Sequence, residues 1–504
     1  MASLKEYRDE QIHKLQQLRS KGVNPYPARS ARDTQISAIT NDYDAHQDSQ
    51  VTVAGRVLSL RTHGKLSFID IADQGSQIQL IVREESITAN YANQELEAND
   101  INLLTRGDFI ESRGIVGKSK RGEVSVLSES VRILSKVLRP LPDQLTDKET
   151  RLRRRYLDMA INTEVRDRVL RRGSFWQAVR QFHLDHGFNE VAIPILEHTT
   201  GGADASPFVT HMNALDEDFY LRISHELPLK RLIGAGIEKV FDIGHRFRNE
   251  NYTDEHLPEH IAMEGYWAYA DWMAGKEFLQ EMILYIADTV YTSRQFHIRG
   301  FDINLDLEWG ELDFSQIMRE TYDINIFDVT LERLHELMNQ HGVESGKDDN
   351  KIRCIDKLWK EIRKTIGNPV FLVNVPTFIS PLAKQNPENP NTTERLQLIL
   401  AGSELINGWS ELNDAQEQLA RFIDQQAMRN DGDDEAQMLD IDYVEMLEYG
   451  MPPTFGYGFS ERLFWFFENV TAREGVPFPQ LRREIDDTTK DIYPELYGGD
   501  GVLR

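Results

Sequence analysis

A single cysteine in 504 residues, Cys354, excludes an intrachain disulfide framework and a Cys-rich zinc site, and suits a reducing cytoplasm. Apolar runs of membrane-spanning length are missing, although 40% of the residues are hydrophobic, so a soluble globular chain is expected. The opening MASLKEYRDEQIHKLQQLRSKG lacks the apolar centre of a signal peptide, which makes a cytoplasmic protein the expectation over an exported one. Basic charge is also short. The 57 Lys and Arg face 82 Asp and Glu, a net charge of −25, which at first sight disfavours a nucleic-acid partner. Local fields decide binding, however, and basic residues do cluster at Lys118, Lys120 and Arg121 and at Arg151, Arg153, Arg154 and Arg155. A solvated loop is the commoner fate of such clusters, as of the acidic run DGDDEAQMLDID at 431–442.

The length suggests two or three domains. Residues 4–21 suit an amphipathic helix, with Leu4, Ile12, Leu15 and Leu18 inward and Lys5, Arg8, Lys14 and Arg19 outward, stopped by Gly22, Pro25 and Pro27. From Val51 to about Arg139 five short β-like runs are split by glycine turns, the pattern of an OB-type barrel. There Ile69 and Ile71 point one way, as do Ile78, Leu80 and Val82, leaving Phe68 and Gln79 to face outward beside Arg61. An aromatic ring, an amide and a guanidinium so placed suit stacking of a base and reading of its edge; the plain alternative is an ordinary surface aromatic. RPLPDQLTDKE (139–149) is a polar, proline-bearing joint. The expected organisation is a helical extension over 1–50, a barrel over 51–140, a linker at 141–150 and a larger domain over 151–504. In that domain a helix-periodic stretch holding Val165, Val169, Trp176, Val179 and Phe182 should end at Gly187, with FNEVAIPIL following as a strand. Residues 275–370 read as mostly helical, with an inserted helical subdomain around 343–367.

Chemistry concentrates in three stretches. In the first, 239–271, two alternating arms flank the polar loop NYTDEHLPE. Phe241, Ile243 and Phe247 share one face and Asp242, Arg246, Arg248 and Glu250 the other; then His260, Glu264 and Tyr266 oppose Ile261, Met263 and Trp267. Two paired antiparallel strands would present arginines, carboxylates and an imidazole to one surface, which suits a phosphate-bearing substrate. Just before it, Gly201 and Gly202 allow close backbone approach to a ligand, and Glu226 opens a helix. In the second, 380–414, Glu404 and Glu411 stand in an otherwise apolar, β-forming run with Asn407. Buried carboxylates demand a cation, a metal ion or an ammonium group, unless both simply face solvent. In the third, 452–467, Gly456 and Gly458 allow approach to a phosphate and Arg462 begins an apolar helix.

In wording and order these pieces resemble a class II lysyl-tRNA synthetase: FRNE with the loop carrying His256, then SELINGWSELND, then PPTFGYGFSERLFWFF, behind GRVLSLRTHGKLSF and QIQL. The resemblance implies an α+β protein, an OB-fold joined to a catalytic domain built on an antiparallel sheet with flanking helices. It implies ATP-dependent attachment of L-lysine to the lysine tRNA through a lysyl-adenylate, with release of AMP and pyrophosphate, and a homodimer made through the helix and strand near 163–195. By the same resemblance Arg248 and Arg462 are the catalytic arginines, on the α- and γ-phosphates, and Asn249, Glu250, His256 and His260 complete the ATP site. Gly202, Glu226, Glu264, Tyr266, Asn407, Trp409 and Glu411 would hold lysine, with Glu411 and Tyr266 on the ε-ammonium. Arg61, Phe68, Gln79 and Glu123 would read the uridine-rich anticodon. Mg²⁺ would be held by Glu404 with Glu411 and, in place of the family's usual glutamate, Gln397; Glu394 is an alternative carboxylate. Two further departures are His260 for a phenylalanine, implying an ATP affinity that titrates near pH 6–7.5, and two glycines before Arg462 instead of three. A related ligase for another acceptor, such as a protein lysine, and an inactive RNA-binding regulator are the rival readings.

Overall fold

The computed structural model describes residues 3–87, 91–203, 205–250, 252–346, 349–430 and 437–496; residues 431–436 of the acidic run and 347–348 of the insertion lie outside them. Two compact units divide the chain, Met1–Thr163 with Leu481–Arg504, and Glu164–Gln480. Composition put the joint at 141–150; by contact, residues 151–163 and the segment after Gln480 belong with the barrel.

In the first unit β1 (Gln50–His63), β2 (Leu66–Asp73), β3 (Ser76–Arg83), β4 (Phe109–Lys118) and β5 (Val124–Ser135) close a barrel in the order β1-β2-β3-β5-β4. Alternation sends Val53, Val57, Ile69, Ile71, Leu80, Ile110, Val126 and Ile133 into its interior. Closure needs one very close approach. A Cβ at Gly114 would stand 2.1 Å from the Leu127 carbonyl oxygen, beside a slip in the β4–β5 register. Helix α1 (Leu4–Ser20) is started by a Ser3–Glu6 capping box and buries Leu15 and Leu18. The basic run after the joint is spent internally: Arg151 and Arg155 lie 2.8 and 2.6 Å from Asp158, Arg153 3.1 Å from Glu484, and Arg154 2.6 Å from Asp486. Those pairs tie the C-terminal segment to this unit.

The second unit is built on an eight-stranded sheet. Its strands are β6 (Asn189–Glu190), β7 (Lys239–Phe247), β8 (Glu259–Ala268), β9 (Gly310–Asp313), β10 (Val370–Val373), β11 (Arg395–Leu400), β12 (Ser403–Ser410) and β13 (Thr454–Ser460), in the order β9-β10-β11-β12-β13-β8-β7-β6. Only the edge pairs β9–β10 and β6–β7 are parallel. One face is dry: Phe241, Met263, Phe455 and Leu398 pack against Phe175 and Phe182 of α2 (Thr163–Asp185) and Leu279 and Met282 of α3 (Trp272–Ile286). The other face lines a cleft.

Two local expectations change. FNEVAIPIL is not one continuous strand: Asn189–Glu190 joins the sheet, Leu196 begins a separate short strand paired with Leu221, and between them the Arg222 guanidinium takes the Ile193 carbonyl at 3.2 Å and the Arg222 N–H that of Ile195. Residues 275–370 are less helical than expected: a hairpin of Gln295–Ile298 and Phe301–Asn304 and the edge strand β9 interrupt them. The insertion itself is helical, Leu331–Gln340 and Lys351–Arg363, burying Leu334, Leu337, Ile355, Leu358 and Trp359.

Candidate active site

The hairpin of β7 and β8 pairs Asp242 with Glu264, Arg246 with His260 and Val240 with Tyr266. Directly paired residues share a face, so the polar groups converge as the alternation implied. Glu264 is the hub. It accepts from Ser224 Oγ (2.8 Å), the His225 N–H (3.1 Å) and Tyr266 OH (3.1 Å), and Arg246 Nη1 lies 3.8 Å away. Burial alone would raise its carboxyl, but His225 and Arg246 bring it down to about 2, so it stays ionised. His260 behaves differently from expectation. Its Nε2 accepts from Arg246 Nε at 2.8 Å, and burial, with Arg246 and Arg248 alongside, holds it well below the usual histidine range. It is a neutral acceptor with Nδ1–H toward the Leu257 carbonyl, and it does not titrate near pH 6–7.5.

A second cluster closes one end of the cleft. Helix Glu226–Gly234 delivers Glu226 and, one turn on, Lys230. The buried Lys230 ammonium lies 2.5 Å from Glu226 Oε1 and 2.5 Å from Glu411 Oε2, and Trp409 Nε1 donates to the same Glu411 oxygen at 2.9 Å. Burial pushes Glu226 up to about 8 and Glu411 up to about 7, while the two carboxyls keep Lys230 protonated. Glu411 Oε1 has no hydrogen-bond partner although it is buried. Such an orphan costs roughly 1–3 kcal/mol until a donor arrives. The glycines of β13 explain the space. Gly456 pairs with Tyr266 and Trp409, and Gly458 with Glu264 and Asn407. A Cβ at Gly456 would stand 1.9 Å from Glu411 Oε1, and one at Gly458 3.0 Å from Glu264 Cγ. These glycines therefore make room for carboxylates, and Gly458 also lines the cleft. Gly202 does likewise, with φ +82° and a Cβ that would fall 2.7 Å from Glu226 Cβ.

At the cleft's other end Glu404 accepts from Asn407 Nδ2 and lies 3.5 Å from Arg363 Nη1. A bulge between β11 and β12 turns Glu404 to the cleft: Leu398 pairs with Ile406 but Ile399 with Glu404, so Leu405 is the extra residue. Arg395 donates to Asn407 Oδ1 at 3.0 Å and stands over the Trp409 ring at 5.4 Å. Gln397, paired with Asn407, is buried on the same face. Arg462 begins its helix, donating its N–H to Ser460 Oγ, and pairs with Glu255; Glu461 turns away to Arg172. A cavity of about 380 Å³ joins both ends, lined by Gly202, Glu226, Arg246, Arg248, Glu250, His256, His260, Glu264, Tyr266, Glu404, Asn407, Trp409 and Arg462. Asn249 does not line it.

The metal expectation needs correcting in one member. Seven residue steps of near-extended chain separate Glu404 from Glu411, roughly 20 Å, so the two cannot share an ion. Among the described residues no three His, Cys, Asp or Glu are grouped to hold a metal. One carboxylate, Glu404, and one amide oxygen, Gln397, do fit a Mg²⁺ that takes its remaining oxygens from phosphates and water.

On the barrel, Arg61 pairs with Phe68, and Asp70 with Gln79. Asp70 binds Arg61 at 2.9 Å, and Gln79 donates to Glu123 Oε2 at 3.1 Å, so all four expected residues gather around Asp70. Phe68 is half-buried, but Gln79 is 6% exposed, covered by these acids instead of open.

The families match this division of labour. Residues 147–482 match the model of class II tRNA synthetases (D, K and N), and residues 51–134 that of the OB-fold nucleic acid binding domain. The lysine–tRNA ligase of Thermotoga maritima is 38% identical over 95% of this chain and 96% of its own length. The chain belongs to the class II lysine–tRNA ligases. Those of Fervidobacterium nodosum and Bacillus subtilis are 38% and 37% identical, covering 98% and 93% of this chain and 97% and 96% of their own. For a lysine–tRNA ligase, several supporting groups were not singled out from sequence: Lys230, Ser224, His225 and Asp70. Lys230 was visible as the i+4 partner of Glu226, and Asp70 as the next outward position after Phe68.

Proposed function

We propose that this enzyme, an ATP-dependent lysine–tRNA ligase, recognises lysine at the Glu226–Glu411 end of the cleft and ATP at the arginine-lined end. The observation that carries the reading is the orphaned, buried Glu411 Oε1 beside Tyr266, in a recess where Glu226, Glu264 and Glu411 outnumber the Lys230 ammonium. A lysine ε-ammonium supplies the missing donor, while an acidic amino acid would meet three carboxylates. Trp409 flanks the aliphatic stem, and Gly202, Glu226 and Glu264 hold the α-amino end. The lysine carboxylate then attacks the α-phosphorus of ATP and pyrophosphate leaves, giving lysyl-adenylate; the terminal ribose hydroxyl of the tRNA takes the lysyl group and AMP leaves. The protein needs no nucleophile, since orientation and charge stabilisation suffice. Arg248 stabilises charge at the α-phosphate and Arg462 at the polyphosphate, with Glu250, His256 and neutral His260 lining the nucleotide. Mg²⁺, held through Glu404 and Gln397, offsets phosphate charge when bound. Arg61, Phe68, Gln79 and Glu123 serve the anticodon.

A homodimer is part of this reading. Leu170, Ile195, Leu196 and Val209, near the segment that resembles the first motif, are exposed apolar side chains that a second copy would cover. No helix among the described residues is long and apolar enough to cross a membrane; tRNA and ATP as substrates favour a cytoplasmic site of action. Lysine-dependent pyrophosphate exchange, run with and without tRNA, tests the reading. Exchange without tRNA and charging only with it are expected, and exchange indifferent to lysine would overturn it.

A further inference from the structure

Two cavities meet at one ion pair. The cleft and a side cavity of about 250 Å³ share Glu255, Arg462 and Trp465 in their walls. The Glu255 carboxylate bridges two guanidinium groups: Oε2 contacts Arg462 Nη2, and Oε1 lies 2.9 Å from Arg299 Nη2. Arg299 comes from none of the three stretches that carry the chemistry. It stands in the tight turn joining the strands Gln295–Ile298 and Phe301–Asn304, with φ 53°, and Nη1 is anchored to Ser403 Oγ at 2.7 Å. Arg299 lines the side cavity, on the far side of Glu255 from the cleft.

A carboxylate held between two guanidinium groups occupies the place that a phosphate fits best, since both anions take bidentate forks. Glu255 and Arg299 are each about one-third exposed, 36% and 35%, so the carboxylate can rotate into water without stranding a buried charge. Once it does, cleft and side cavity become continuous and two arginines face the same space. Arg363 and Glu404 also lie within electrostatic reach of Arg462, so this end of the cleft is a site of dense, nearly balanced charge awaiting an anion.

We propose that Arg299 is a further polyphosphate-binding residue and Glu255 its displaceable counter-ion: the terminal phosphate of ATP replaces the Glu255 carboxylate and is held between Arg462 and Arg299. The inference rests on the reading of the cleft as an ATP site, and goes beyond it in assigning these two residues. AMP, which has no group to reach this end, is the internal control.

The test is calorimetric titration of the full chain with ATP and with AMP. Arg299→Gln should weaken ATP about tenfold and leave AMP unchanged. Glu255→Gln should tighten ATP several-fold, because no ionised competitor remains, again without effect on AMP. Arg462→Gln, the reference, should weaken ATP. If Arg462→Gln weakens ATP while Arg299→Gln does not, Arg299 is no phosphate ligand and the inference falls, leaving the ATP site intact. If neither variant changes ATP, the site reading itself fails. Equal loss of ATP and AMP in Arg299→Gln would make the residue structural, and unchanged or weaker ATP in Glu255→Gln would overturn displacement.

Discussion

Replacing Glu411 by glutamine perturbs lysine recognition at its most exposed assumption. The substitution keeps the shape of the side chain and removes its charge, and Lys230 retains Glu226 at 2.5 Å, so the fold should stand. What is lost is the charged acceptor at Oε1, the buried oxygen that has no partner in the free protein. A hydrogen bond to a charged group contributes roughly 1.5–3 kcal/mol, so lysine should weaken by about ten- to 150-fold. Pyrophosphate exchange measures this as a rise in the KM for lysine, with the KM for ATP unchanged on the proposed placement of ATP at the other end of the cleft. The pH dependence gives a second handle. Burial raises Glu411 to about 7 and Glu226 to about 8, so the pair around Lys230 gains negative charge as the pH rises through this range. An ammonium prefers the ionised pair, so lysine affinity should climb between pH 6 and 8.5, well below the substrate's own loss of charge near pH 10.4. The stability sign is opposite. The folded state holds protons that the unfolded chain releases near pH 4.5, so these groups favour folding less as the pH rises from about 4.5 to 8. A Glu411→Gln enzyme with unchanged lysine KM, or with lysine and ATP affected alike, would refute the pocket assignment.

Three further outcomes follow from the geometry. Gly456→Ala should abolish lysine-dependent exchange, because its Cβ would fall 1.9 Å from Glu411 Oε1 with Tyr266 packed behind; a KM within twofold of the parent would contradict it. Phe68→Ala should cost tRNA charging about 1–3 kcal/mol of base stacking and spare tRNA-independent adenylation, and equal loss in both assays would make the ring structural. His260→Phe should leave the ATP KM profile between pH 6 and 7.5 unaltered in shape, since the imidazole is already neutral there; a profile that flattens in the variant would restore histidine titration.

Strand alternation was the most legible signal in the sequence. It aligned Asp242, Arg246, His260, Glu264 and Tyr266 on one face before any partner was known, because side-chain direction on a strand depends only on parity. What parity cannot give is the identity of the cross-strand neighbour. His260 looked like a titrating group until Arg246 appeared opposite it. Nor did the sequence show that Glu411 and Glu264 lie directly beside the β13 glycines. The bulge at Leu405 brings Glu404 to the cleft against simple alternation, but chain length still keeps it far from Glu411. Long-range pairs were invisible for a related reason. Nothing near Arg153 and Arg154 in sequence announces Glu484 and Asp486, and with those partners the basic run reads as a tie within its own unit.

Amino-acid choice is the central claim, and the matched family model spans enzymes of three kinds, D, K and N. Pyrophosphate exchange measured side by side with lysine, aspartate and asparagine at fixed ATP tests it most directly. With Glu226 and Glu264 lining the recess and Glu411 buried beside it on Trp409, exchange should depend on lysine alone. Exchange supported equally by aspartate or asparagine, or by none of the three, would contradict the account.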